Sequence, residues 1–237
     1  MSKSRTDLSQ SGGLPNSSTV DVLALSRIFE RNTTSYKFLF FLSILDILER
    51  NNFNTQVIEF QNLILEMLVN AWIPCMISNL SLGSQDKINT IINSLNLIFD
   101  KSLTDGRLAN KSTIRKMIAK KDLSYAVDRL RRNVPFRLII PFLEDCLGDV
   151  DRGRGTELEM AMPEIASQYF ESHKPLYKFN SIHYRDCDLI MLHPNWIDYL
   201  RENHKVIRRW AEWEWVSYMQ NRNPNVSNID KKIFYKI

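Results

Sequence analysis

Apolar positions are densest between Thr33 and Arg50, TTSYKFLFFLSILDILER. Tyr36, Phe38 to Leu42, Ile44, Leu45, Ile47 and Leu48 cover nearly every face of a 3.6-residue helix, which predicts a core helix enclosed by others. Lys37 and Asp46 bracket a run well short of the roughly 20 apolar residues of a membrane span, so no membrane partner is expected. Asn32, Thr33 and Thr34 carry oxygens suited to capping its first turn.

The same periodicity predicts a short amphipathic helix over 20–31, a second apolar helix over 63–77 kinked or ended by Pro74, and a helix from a Ser84 cap through Phe99. Two short helices follow at 112–119 and 123–132, the second ended by Val134-Pro135-Phe136. A helix over 162–172 has Pro163 near its first turn. Segments 176–180 and 188–192 alternate as a hairpin, and 57–60 reads as a brief extended piece. Pro194 opens a helix through Asn203, and a long final helix over 205–220 carries Val206, Trp210, Trp213 and Ser217 on one stripe, read as a buried face. The expected fold is mainly α: an irregular multi-helix bundle around a central buried helix, with a small β-hairpin in a C-terminal lobe.

Polar composition at 1–19 and the glycines of 148–156 (GDVDRGRGT) divide the chain into a flexible tail, a helical core lobe over 20–147, a linker, and a smaller lobe over 157–237. The linker has neither GxGxxG nor GK[ST] spacing. Cys75, Cys146 and Cys187 are odd in number and widely spaced, which fits a reducing, cytoplasmic compartment better than a disulfide framework.

Charge changes the picture in one place. The whole chain carries +4, but 107–137 holds ten basic residues against two acids, Asp122 and Asp128. That net of +8 marks a candidate phosphate contact, with Arg115, Lys116, Lys120, Lys121, Arg131 and Arg132 as the nucleic-acid-binding candidates. The competing explanations are a solvated helical surface and arginines paired with acids elsewhere in the fold. His173, His183, His193, His204 and Cys187 lack metal-ligand spacing. Asp186 and Asp188 would share one face of a strand, an arrangement able to hold a divalent ion or simply an exposed polar face. Neither catalytic residues nor a cofactor or metal site is assigned. The clustered tryptophans suit core or interface packing better than stacking on bases.

Three passages carry a resemblance. Ile28-Phe29 followed by Asn32-Thr33-Thr34-Ser35-Tyr36-Lys37-Phe38 resembles the F-x-x-x-T-x-S-Y-K entry of a group of bacterial HNH endonuclease domain-containing proteins. Val134-Pro135-Phe136-Arg137 is similar to their V-P-Y-R-F segment. Trp196-x-x-Tyr199-Leu200 and Tyr218-Met219-Gln220-x-Arg222-Asn223-Pro224-Asn225-Val226 are similar to their ending, with order and spacing agreeing over about 22–233. The resemblance implies a region that precedes an HNH nuclease, whose histidine base and divalent ion have no counterpart positions here. The function it implies is an accessory, non-catalytic module of an HNH-type restriction or phage-defence system, contacting DNA or positioning an HNH nuclease domain or subunit. The alternative is a protein-interaction or structural module without a nucleic-acid role; a metal hydrolase built on the scattered His and Asp residues is the third.

Overall fold

The computed structural model describes residues 13–30, 32–97, 110–148 and 155–234. Helix α1 (Val22–Ser26) leads into α2 (Tyr36–Arg50), followed by strand β1 (Val57–Glu59) and α3 (Phe60–Trp72). Then come α4 (Ile88–Ser94), α5 (Lys111–Ile118), α6 (Ser124–Leu130) and α7 (Val134–Leu138). Beyond them lie α8 (Gly155–Gln168), α9 (Phe170–His173), β2 (Tyr177–Phe179), β3 (Leu189–Leu192), α10 (Pro194–Glu202), α11 (His204–Arg222) and α12 (Ile229–Phe234). The chain is mainly helical with a minor antiparallel sheet, as the hydrophobic pattern predicts.

Helix α2 is the enclosed element: Phe38 through Leu45, Ile47 and Leu48 are all buried. It packs against α3, α7 and α11. Its start differs from expectation. Thr33 and Thr34 do not cap it; Asp86 Oδ2 accepts from the Ser35 backbone N–H at 2.9 Å and the Ser35 hydroxyl at 2.7 Å. The capping oxygen comes from 51 residues away, so local sequence could not reveal it.

Helix α3 continues into a wider π-helical turn, Ile73–Ile77. Pro74 has no N–H to give the preceding turn, and the backbone widens there instead of stopping. The 60–77 stretch is long and apolar enough to be weighed as a span, and 72% of it is buried inside the protein. Helix α4 starts at Ile88, with the Ile88 N–H donating to Asp86 Oδ1 at 2.9 Å, so Ser84 is not its cap. The end expected at Phe99 and the loop over 101–109 lie outside the described residues. Pro135 sits in the first turn of the separate helix α7 rather than only ending α6. Helix α8 begins at Gly155, so Pro163 is interior, and residues 155 and 156 are helix rather than linker. Residues 149–154 of the expected linker lie outside the described residues.

The hairpin forms, and β1 completes it into a sheet ordered β1-β3-β2. Ile58 faces Ile190 across one pair, and Phe179 faces Ile190 across the other. Alternation buries Ile58, Tyr177, Phe179, Ile190 and Leu192 while Val57 stays exposed. Buried side chains from Leu14 to Ile233 belong to one contiguous core. The tail assignment is corrected at residues 14–19. Leu14 is fully buried, the Tyr199 hydroxyl donates to the Pro15 carbonyl at 2.6 Å, and the Asn195 amide donates to the Thr19 carbonyl at 3.2 Å.

Helix α11 corrects a register. Its buried face is Ile207, Trp210, Ala211, Trp215, Tyr218 and Met219. Trp213 is 64% exposed and Val206 44% exposed, so the expected stripe runs partly along the outer side.

Candidate nucleic-acid interface

The basic segment divides between two helices laid against α3. On α5, Asn110 caps the first turn by accepting from the Thr113 N–H at 2.9 Å, and Ile114 and Ile118 face inward. This register turns Arg115 toward Glu66, whose side chain is fully buried. The Arg115 guanidinium donates to both Glu66 oxygens, through Nε and, at 2.9 Å, through its second terminal nitrogen. Arg50 adds an ion pair at 2.9 Å. Nearby, Asp46 accepts from Asn70 at 2.9 Å, Lys111 at 3.2 Å and Arg208 at 2.8 Å. Burial alone would raise the Asp46 pKa, but the Lys111 and Arg208 charges outweigh it and hold the carboxyl below its ordinary value. These ion pairs join α2, α3, α5 and α11. A buried carboxylate of this kind is costly without its partners.

Helix α6 behaves differently. Asp122 accepts from the Ser124 backbone N–H at 2.9 Å and from its hydroxyl at 3.0 Å, which orders the first turn. Ala126 and Leu130 are buried. Lys121, Tyr125, Arg129 and Arg132 recur at spacings of four, four and three, and all four are exposed. Arg129 lies over the Tyr125 ring, 5.6 Å from its centroid. Arg132 pairs with Asp128 at 2.6 Å, with both groups more than half exposed.

The six sequence candidates therefore separate. Arg115 is held by Glu66. Arg131 donates to the carbonyls of Cys187 at 3.3 Å and Arg185 at 3.0 Å, tying α6 to the turn before β3. Lys116 and Lys120 are exposed on or just beyond α5. Lys121, which also reaches the Asn96 carbonyl at 3.3 Å, joins Arg132 on the α6 stripe. Tyr125 and Arg129 are not among the sequence candidates, although their four-residue spacing on the expected 123–132 helix, with Arg132 three residues on, is a signal that could have found them.

The stripe runs between two hollows. One is lined by Lys121, Tyr125, Ile91 and Leu95. The other, with a cavity volume of about 460 Å³, is lined by five cations: Lys37, Lys87, Arg129, Arg132 and Arg137. Asn32, Thr34, Gln85 and Asn133 add neutral polar groups, and no acidic side chain lines it among the described residues. A neighbouring cavity shares Lys37 and Arg137 but includes Glu30 and Glu144. Arg137 is also paired with Glu159, which is 6% exposed and whose carboxyl pKa is pushed up by burial despite the arginine. Neither Lys37 nor Lys87 falls in the basic segment, and they meet this site through the fold.

The cation-lined hollow has a rigid frame. The Lys87 N–H donates to the Tyr36 hydroxyl oxygen at 2.9 Å, and burial pushes the Tyr36 pKa up to about 12. The Tyr218 hydroxyl donates to the Leu82 carbonyl at 2.7 Å, and Arg222 donates to the Thr33 carbonyl at 3.2 Å. Gly83, with φ +110°, fits against these two side chains; a Cβ there would lie 3.2 Å from the Tyr218 hydroxyl. Asn223 exchanges bonds with the Ser81 backbone, accepting from its N–H and donating to its carbonyl, each at 2.9 Å. Residues from 32–37 and 132–137 thus line the hollow, and Arg222 bears on it from behind through the Thr33 carbonyl.

The scattered metal candidates do not assemble. Asp186 lies in a 3-10 turn and Asp188 precedes β3, so they do not share a strand face. Among the described residues no group of three or more His, Cys, Asp or Glu side chains is placed to hold a metal ion. His193 caps α10, its Nδ1 accepting from the Asn195 N–H at 3.2 Å, and burial lowers its pKa. Burial pushes the Cys187 thiol up to about 11 and the Cys75 thiol up to about 12. Comparison with protein-family models, with curated proteins and with solved structures returns no match.

Proposed function

We propose that this chain is an accessory, non-catalytic module that contacts DNA and positions a nuclease of the HNH type. The observation that supports it best is the exposed stripe of Lys121, Tyr125, Arg129 and Arg132, continuous with the five-cation hollow. Cations at this spacing can follow a phosphate backbone, and an aromatic ring between them adds a stacking surface for an unpaired base. The nuclease part of the proposal rests on the resembling passages alone.

The test is fluorescence anisotropy of a labelled duplex across a salt series. Replacing Lys121, Arg129 and Arg132 together by Ala is expected to weaken binding and to flatten the log–log salt slope by about 0.9 for each phosphate no longer neutralised. A folded triple variant with the parent's affinity and slope would refute the interaction. A second function, as a protein-interaction module, is favoured by the exposure of Trp213 at 64% and Val206 at 44% on α11. It becomes the leading function if the parent shows no salt-dependent DNA binding.

A further inference from the structure

We infer that the hollow between α2, α6 and α7 is a receptor for a terminal phosphate, one carried by a nucleotide or by the end of a nucleic-acid strand. Five cations surround a cavity of about 460 Å³. That volume is in the range of small-ligand sites and is larger than a phosphate group alone requires. Three of the cations are guanidinium groups, whose paired donors match phosphate oxygens. A terminal phosphate is nearly a dianion at neutral pH, whereas an internal phosphodiester carries a single charge. Five cations converging on one surface hollow thus favour the doubly charged terminal group, while the α6 stripe alone suits a passing backbone.

The intramolecular acids refine this picture. Asp128 engages Arg132, and Glu159 engages Arg137. Lys37 reaches the Glu30 carbonyl at 3.1 Å. Among the described residues, Lys87 and Arg129 have no carboxylate partner within ion-pair distance, so the uncompensated charge of the hollow comes chiefly from them. Lys87 is fixed by its backbone bond to the Tyr36 hydroxyl, which places its side chain at the mouth of the hollow without using its ammonium group. An acidic peptide would find the same charge, but three guanidinium groups converging with two lysines on one hollow favour a compact dianion over an extended chain of carboxylates.

Lys87 does not belong to the α6 stripe, so the inference can be tested apart from DNA contact. Binding is measured for three probes: a 12-nucleotide strand with a 5′-phosphate, the same strand with a 5′-hydroxyl, and ATP. The 5′-phosphorylated strand, ATP or both should bind, with the phosphorylated strand preferred about tenfold over the hydroxyl strand if strand ends are the ligand. Lys87→Glu should abolish the preference or the ATP binding. Lys205→Glu, the same charge change on exposed α11 outside this hollow, should leave both in place. Binding of ATP without strand-end preference identifies a free nucleotide as the ligand; the converse identifies a strand end. Equal binding of both strands together with no ATP binding overturns the inference while leaving DNA contact intact. Failure of both strands to bind while ATP binds overturns DNA contact and supports the receptor. Lys87→Glu protein that melts as the parent does and keeps both the preference and the ATP binding also overturns it.

Discussion

Arg115 and Arg129 lie in one basic segment, on consecutive helices packed against the same neighbour, and end in opposite environments. Arg115 closes on a fully buried carboxylate, together with Arg50. Arg129 stays in solvent, stacked over Tyr125. The difference is one of acid placement. Helix α3 offers Glu66 beneath α5, while the acid paired on the exposed side of α6 is Asp128, itself mostly solvated. A cation count therefore overstates a binding surface by the number of cations the fold has already engaged, and in this segment those include Arg115 and Arg131.

The strongest way to break this contrast is to remove one member of each helix and measure unfolding in urea. Arg115→Ala should cost about 3 kcal/mol, because it leaves a buried carboxylate with Arg50 as its remaining guanidinium partner. An effect under about 1 kcal/mol would mean that Glu66 does not depend on Arg115, and the division between inner and outer cations would fail. Arg131→Ala comes next, at about 1–3 kcal/mol, through the two carbonyls it leaves without a charged donor. If it instead acts like a surface residue, it returns to the pool of ligand-binding candidates. Arg129→Ala and Arg132→Ala should each fall within about 0.5 kcal/mol of the parent, since exposed pairs contribute little. Their cost should appear in DNA binding and not in stability.

A pH series sharpens the same contrast from the histidine side. Burial lowers the pKa of both His193 and His204 in the folded protein. The unfolded chain therefore binds protons first as pH falls. Stability should be full above about pH 6.5 and should decline as pH drops from there through the lowered folded values. His193→Asn, which keeps a capping oxygen for α10, should reduce this acid sensitivity. An unchanged pH profile in that variant would show that His193 does not contribute to it.

Much of the architecture was legible because it is written in local periodicity. The enclosure of α2 followed from apolar residues on every face, and the hairpin from alternation near 177–192. The errors at the start of α2 and on α11 share a cause: a partner distant in sequence. Thr33 and Thr34 looked like caps because Asp86 was not in view. Trp213 looked buried because its spacing from Trp210 is helical, yet the side chains that reach α2 are Trp210 against Phe41 and Tyr218 against Phe38, and Trp213 lies off that face. Of the candidate site, the α6 stripe could have been drawn from spacing alone. Lys37 and Lys87 could not, since 50 residues separate them and only packing makes them neighbours.

The sheet has a consequence for the order in which the molecule assembles. Its middle strand, β3, is the last of the three along the chain, and β1 meets it across more than 130 residues. Until β3 arrives, the Phe60 N–H has no Asp188 carbonyl to bond, and β1 and β2 have no common neighbour. Closing so long a loop is slow compared with forming helices. Helices α2 and α3, adjacent in sequence and packed on each other, can dock early. The amides of β1 are therefore expected to gain protection from hydrogen exchange after those of α2 and α3, making this short strand a late lock on a core that has already collapsed.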